Sequence, residues 1–160
     1  MEIRFATMAD LAAVTEAEAL CFPAAEAAPE EQFRGRLAAY RDHFWLLFDG
    51  DRLVSFVDGP VTMQPDLTDE MFADPGFHRE DGGWQMIFGV ATIPEYQRQG
   101  CAGRLLRRAI SDARAQSRLG LVLTCKERLI PYYARFGFVS EGLSASVHGN
   151  AVWYQMRLRL

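Results

Sequence analysis

Val90-Ala91-Thr92-Ile93-Pro94-Glu95-Tyr96-Gln97-Arg98-Gln99-Gly100-Cys101-Ala102-Gly103 is the stretch that decides how this chain folds. A β-prone apolar run stops at a proline, a glycine-containing turn follows, and a helix pattern begins at once. That pattern is Ala102, Leu105, Leu106, Ala109, Ile110 and Ala113, apolar along one helical face, with Arg104, Arg107, Arg108 and Arg114 on the other. A strand, a tight turn and a helix start in this order bring free main-chain N–H groups and the positive end of a helix to one point, which suits an anion and above all a phosphate. Gly100 and Gly103 fit a close approach to such a ligand, because no Cβ stands in the way.

The order strand, proline, Gln97-x-x-Gly100-x-Ala102 and amphipathic helix resembles the Q/R-x-x-G-x-G/A signature of the GNAT acyltransferase superfamily. A second segment agrees. Leu121-Val122-Leu123-Thr124-Cys125 followed by Ile130-Pro131-Tyr132-Tyr133-Ala134-Arg135-Phe136-Gly137-Phe138 is similar to that family's next strand and its Y-x-x-x-G-F helix end. Within the superfamily the wording is most like the serotonin (arylalkylamine) N-acetyltransferase group, with tight motif agreement confined to about residues 84–139.

The resemblance implies an α+β, three-layer fold with a central mixed, mostly antiparallel sheet of about seven strands flanked by about four helices. It implies one acyl-CoA N-acyltransferase domain over residues 1–160, acetyl-CoA as the acyl donor, and no metal. The pantetheine would run beside Val90, Ala91 and Thr92, and the pyrophosphate would sit against Arg98, Gln99, Gly100, Cys101, Ala102 and Gly103. Tyr133 matches the family tyrosine beside the thioester sulfur, both cofactor contact and catalytic acid, since a phenol with a pKa near 10 can protonate a departing thiolate. Tyr132 competes, and the spacing to Phe136-Gly137-Phe138 favours Tyr133. The plainer alternatives are glycines that serve packing and a tyrosine that is only core.

Two departures matter. Related arylalkylamine acetyltransferases carry a histidine pair on the strand before the pantetheine segment, and the corresponding positions here are Met86 and Phe88, neither of which accepts a proton. Lys126 stands where many members have asparagine, and a lysine there could reach a phosphate. The remaining candidate bases are His43 and His148, both expected in solvated positions, and His78 on a long irregular segment. Cys125 is expected to be a packing thiol, since nothing nearby in sequence would lower its pKa.

Composition bounds the rest. A chain of 160 residues, 49% hydrophobic, with net charge −4, can bury a core and carries no general basic footprint, so no DNA or RNA partner is expected. Cys21, Cys101 and Cys125 show neither a disulfide framework nor a zinc spacing, which fits a reducing, cytoplasmic setting. No apolar run approaches the ~20 residues of a membrane span, and the N-terminus has no signal-peptide pattern, so no membrane partner is expected. The oligomeric state is left open, a homodimer included.

Along the chain, Ile3–Phe5 reads as a strand and Thr7-Met8-Ala9-Asp10 as a capping box opening a helix to about Ala19. Pro29-Glu30-Glu31 opens a second helix, and Phe44–Phe48, Asp49-Gly50-Asp51 and Leu53–Val57 form a hairpin. Thr62–Gly83 is expected to be irregular, and its six acids against one arginine would attract an ammonium-bearing acceptor while the segment covers it. Trp84, Met86 and Phe88 would offer apolar surface to that acceptor. Trp84–Thr92 reads as one strand, and Phe138–Val147, the turn His148-Gly149-Asn150 and Ala151–Leu158 as a final hairpin. The resulting expectation is direct acetyl transfer from acetyl-CoA to the primary amine of a small, apolar or aromatic molecule. A non-catalytic acyl-CoA-binding domain and a protein N-acetyltransferase are the alternatives.

Overall fold

The computed structural model describes residues 1–160. The elements run β1 (Glu2–Phe5), α1 (Leu11–Cys21), α2 (Glu30–Tyr40), β2 (Phe44–Asp49), β3 (Arg52–Asp58), β4 (Val61–Thr62), α3 (Glu70–Ala73), β5 (Trp84–Ile87), β6 (Gly89–Thr92), α4 (Cys101–Ala115), β7 (Gly120–Cys125), α5 (Ile130–Ala134), β8 (Val139–Leu143) and β9 (Tyr154–Arg159). Local chemistry sets several boundaries. Asp10 accepts the Thr7 N–H at 2.8 Å and a two-pronged contact from Arg4, closing a short turn ahead of α1. Pro23 lies just past the end of α1, and Pro29 precedes α2, whose positive first turn carries Glu30 and Glu31.

The architecture is α+β with mixed strand directions, as expected, but the strands form two sheets rather than one. The first, in order β1-β2-β3-β6, is antiparallel. The second, β4-β5-β7-β9-β8, contains one parallel pair, β5 with β7. Trp84–Thr92, expected as one strand, divides at Phe88. Up to Ile87, opposite Leu123, it runs along β7; from Gly89 it pairs with β3, and the Phe88 N–H donates to the Asp58 carbonyl at 2.7 Å. A strand bonded to one neighbour at its start and to another at its end must leave the first, so β6 diverges from the end of β7. One edge of β6 is left without a strand partner.

Consecutive side chains of β2 point to opposite faces and show how the first sheet is covered. Phe44 lies 6.3 Å from Phe33 and stacks on Tyr40 at 5.4 Å, both on α2. Its neighbour Trp45 donates through Nε1 to Asp112 of α4 at 2.8 Å. Helix α2 therefore covers one face and α4 the other. Burial of β3 from Leu53 to Asp58 follows, as does burial of Leu105, Leu106, Ala109 and Ala113 on the apolar side of α4.

Two segments differ from expectation. Thr62–Gly83 contains α3 and a turn of tight helix at Pro75–Phe77, because Leu67 and Met71 bury themselves in a small core with Trp84, Met86 and Val122. The final hairpin is shorter: β8 ends at Leu143 after Gly142 takes φ +89 and the register slips, and β9 begins only at Tyr154. Between them, Trp153 Nε1 bonds the His148 carbonyl at 2.9 Å and folds residues 144–153 away from the sheet.

Candidate functional site

The divergence of β6 from β7 leads directly to the glycine turn. Arg98 and Gly100 both adopt left-handed backbone, with φ +62 and +80, and Gly100 caps α4 without any side-chain hydrogen bond. Left-handed residues set among ordinary ones curve successive N–H groups into a concave anion-binding arrangement. None of the main-chain N–H groups from Arg98 to Gly103 has an acceptor within the chain. Arg98, Gln99, Gly100 and Arg104 are exposed beside them, and neither arginine is in an ion pair. Gly103 serves a different purpose: a Cβ there would lie 3.3 Å from the Arg107 guanidinium and 3.4 Å from the Phe136 ring, so this glycine lets α4 approach the chain after α5. Cys101 is buried and Ala102 half-buried, and both present main chain to the turn. Val90, Ala91 and Thr92 pair with β3 on one side of β6, where Ser55 Oγ also donates to the Ala91 carbonyl at 2.7 Å, and the other side has no strand partner.

Across the gap, β7 ends at Cys125 and α5 carries Tyr133. The Tyr133 ring is 7% exposed and edge-on to Tyr132 at 5.1 Å and Phe138 at 6.2 Å. Burial pushes its phenol well above the usual value, and the nearby Cys125 thiol adds to the shift, so the hydroxyl holds its proton at neutral pH. Tyr132 is half-buried and stacks under Arg135 at 5.4 Å. Burial also raises the Cys125 thiol to about 11, and its Sγ faces Met156 Sδ at 3.6 Å, the environment of a packing thiol.

Where β5 becomes β6, a cavity of about 60 Å³ opens between α1, α2, α3 and the segment 144–153. With a water needing about 10–15 Å³ by this measure, it holds roughly four waters or the head group of a small amine. Phe22, Phe72, Phe88 and Trp153 form apolar walls. The polar side is a buried cluster that the sequence analysis did not single out. Glu18, 7% exposed, accepts the Ala28 N–H through Oε2 at 2.9 Å, and its Oε1 has no partner. Arg36 donates to the Phe72 carbonyl at 3.0 Å and lies 3.6 Å from Asp58 Oδ2, while its Nε is unpartnered. Asp58, fully buried, accepts from Tyr40 Oη at 3.3 Å, and its Oδ1 is also unpartnered.

A Cβ on Gly89 would stand 2.9 Å from Asp58 Oδ1 and 3.8 Å from Glu18 Oε1, so both free carboxylate oxygens converge over the first residue of β6. Burial raises Glu18 to about 7, with the Ala28 N–H and Arg36 opposing the shift and Asp58 adding to it. Burial raises Asp58 as well, against the pull of Arg36. A signal for two of these residues was present: Glu18 continues the buried face Val14, Ala17 of α1, and Arg36 lies among Phe33, Leu37 and Tyr40 on α2.

The sequence profile of the acetyltransferase (GNAT) family matches residues 11–138, from the start of α1 to the end of the Tyr133 motif. This chain belongs to the GNAT family. Serotonin N-acetyltransferase of Mesocricetus auratus is 28% identical over 114 residues, which are 71% of this chain and 54% of that protein. The chain thus spans about half the length of that curated relative. The loading GNATL domain of CurA from Lyngbya majuscula superposes with a TM-score of 0.85 at 18% identity, covering 99% of this chain and 96% of the other. The GphF GNAT-like decarboxylase, solved with isobutyryl-CoA, superposes with a TM-score of 0.82 at 17% identity over 99% of both chains. Likeness at these identities establishes the GNAT fold.

In this GNAT chain several expected acceptor-side features lie elsewhere. Phe88 does line the cavity, but Met86 is buried in the small core and Trp84 is covered by Arg157 and Arg159 at 4.7 and 5.8 Å. The acids of Thr62–Gly83 are largely committed to the fold. Asp66 pairs with Arg157, Asp69 accepts from Ser146 and Val147, Asp74 caps Gly76, and Glu80 joins His43, His78 and Arg118. Of that segment only Phe72 reaches the cavity. Lys126 pairs with Glu26 at 2.9 Å and lies over the Trp153 ring at 5.7 Å, closing the cavity rather than facing the glycine turn. His43, expected in solvent, is 1% exposed and bonded to Gln85 and Glu80 at 2.9 Å. His148, also expected in solvent, lines the cavity, donating through Nε2 to the Glu26 carbonyl at 2.9 Å and packing on Phe72 at 4.9 Å. No helix is long and apolar enough to cross a membrane, and all three cysteines are free thiols.

Proposed function

We propose that this chain, as one acyltransferase domain, is an acetyl-CoA-dependent N-acetyltransferase that moves the acetyl group directly to the primary amine of a small molecule with an apolar or aromatic body. The observation that carries the proposal is the run of unpaired N–H groups from Arg98 to Gly103 at the mouth of the gap between β6 and β7. A pyrophosphate supplies the acceptor oxygens that this run lacks, with the positive end of α4 behind it and Arg98 at its edge. The pantetheine then follows the free edge of Val90, Ala91 and Thr92, which brings the thioester toward Gly89 and the cavity.

Tyr133, held protonated beside the end of β7, serves as acid to the CoA thiolate as the C–S bond breaks. Acetyl-CoA is thus consumed as a substrate, and the mechanism requires no metal. The aromatic walls favour an acceptor with an apolar body, and the loop closure made by Glu26 with Lys126 and His148 suits a small molecule better than a peptide. The test pairs acetyl-CoA titration calorimetry with thiol release over a panel of alkyl and arylalkyl amines. Micromolar binding with thiol release on an aromatic amine is the expected result. Absence of binding refutes the placement of the donor, and binding without release on any amine refutes the enzymatic reading.

A further inference from the structure

We propose that Glu18 is the group that takes the proton from the acceptor amine, with Asp58 and Arg36 holding the ammonium and the carboxylate in place. The proposal rests on the acyl-transfer reading above and adds to it the base that Met86 and Phe88 cannot supply. Its ground is geometric. Glu18 is fixed by one oxygen to the Ala28 N–H while the other, more than nine-tenths buried with the rest of the residue, points without a partner into the cavity. Asp58 Oδ1 approaches the same point over Gly89, the residue from which β6 departs toward the thioester. Two carboxylates against the single guanidinium of Arg36 leave this pocket one positive charge short when both are ionised, and an ammonium supplies it.

The groups facing Glu18 are few. Arg36 comes from α2, Asp58, which accepts from Tyr40, from β3, and Cys21 from its own helix; Glu26, itself paired with Lys126, and His148 close the far side. The amine binds as the ammonium, gives one proton to Glu18 Oε1, and its freed lone pair attacks the thioester carbonyl carbon. The tetrahedral intermediate then expels the thiolate. Of the two protons the nitrogen loses in becoming an amide, one replaces the proton that Tyr133 gives to the CoA sulfur and the other passes to solvent. A carboxyl group raised to about 7 is matched to this task, being ionised enough to accept a proton near neutral pH and basic enough to draw it.

The test is the pH profile of kcat/KM for the wild type, Glu18→Gln, Glu18→Asp and His148→Ala, using 2-phenylethylamine and, in parallel, the best amine of the panel. Acetyl-CoA affinity and melting curves are measured on the same samples. The wild type should show an inflection near 7 that Glu18→Gln loses together with about 10²–10⁴-fold of kcat/KM, while its acetyl-CoA affinity stays within about twofold. Glu18→Asp should keep part of the rate with a shifted inflection. An inflection that survives in Glu18→Gln overturns the proposal, and its loss in His148→Ala instead makes the histidine the base. Thiol release on no amine overturns this proposal together with the reading beneath it, whereas release that ignores Glu18 overturns this proposal alone.

Discussion

Replacing Glu18 by glutamine should stabilise the ligand-free protein at alkaline pH while it removes activity. The Glu18 carboxyl titrates at about 7 in the folded chain against 4.5 unfolded, because burial opposes its ionisation. The folded state therefore holds this proton more tightly than the unfolded one. Its stabilising contribution is complete below about 4.5 and lost as pH rises through about 7. At about 1.4 kcal/mol per unit the loss above pH 7 is roughly 3 kcal/mol. Glutamine does not titrate, so the difference in stability between Glu18→Gln and wild type should grow by that amount from acid to alkaline pH. An unpaired amide in the cavity costs a further ~1–3 kcal/mol, but at every pH equally, so the slope carries the test rather than the absolute value. For a chain of this size ~3 kcal/mol corresponds to about 6–12 °C in Tm. The assay is thermal melting of both proteins without ligand from pH 4.5 to 8.5. A Tm difference that stays constant across this range would show that Glu18 ionises as freely in the folded protein as in water, and would remove the physical basis of its proposed role.

Gly100→Val should abolish acetyl-CoA binding in calorimetry and leave a folded protein, since a Cβ at that position meets nothing within 4 Å but φ +80 is costly for a β-branched residue; Arg98→Ala should cost only the ~1–3 kcal/mol of one charge-assisted hydrogen bond. Equal affinity of Gly100→Val and wild type would refute the anion site. Tyr133→Phe should lower kcat with acetyl-CoA affinity unchanged, because the hydroxyl acts on a thiolate that exists only as the bond breaks, and Tyr132→Phe is the control in the same steady-state assay. Lys126→Ala releases Glu26 and the loop that closes the cavity, so KM for bulky arylalkyl amines should fall relative to small alkyl amines, and an unchanged ratio would show that the 2.9 Å ion pair does not restrict entry.

Most of the fold was legible because its signals are local. The apolar face of α4, the turn at Gly50 and the boundaries set by Pro23 and Pro29 follow from residues within a few positions of one another. The division of Trp84–Thr92 was not legible. Every residue there suits a strand, and the break at Phe88 arises only because Asp58 and Leu123, far away in sequence, compete for opposite ends of it. The same holds for residues 144–153, which alternate well enough for a hairpin but are drawn off the sheet by Asp69, Glu26 and Trp153.

The site divides along the same line. The glycine turn is a contiguous motif whose proposed role depends on main-chain geometry, so its residues announce themselves in order. The cavity proposed for the acceptor is assembled from residues far apart in sequence, with Asp58 of β3 packed behind it, and no spacing rule connects Glu18, Arg36 and Asp58. What Glu18 and Arg36 do show is a charge where the local pattern calls for an apolar residue: Glu18 after Val14 and Ala17, Arg36 between Phe33 and Leu37. A buried charge of this kind is costly unless paired, and here Glu18 Oε1, Arg36 Nε and Asp58 Oδ1 lack partners. The two unpaired carboxylate oxygens over Gly89 are a standing cost to the free protein, which an incoming ammonium lowers by supplying the absent donor. On the Glu18 proposal the histidine pair of related enzymes, replaced here by Met86 and Phe88, is not required: the proton acceptor has to face the nitrogen over Gly89, and α1 reaches that point as directly as the strand does.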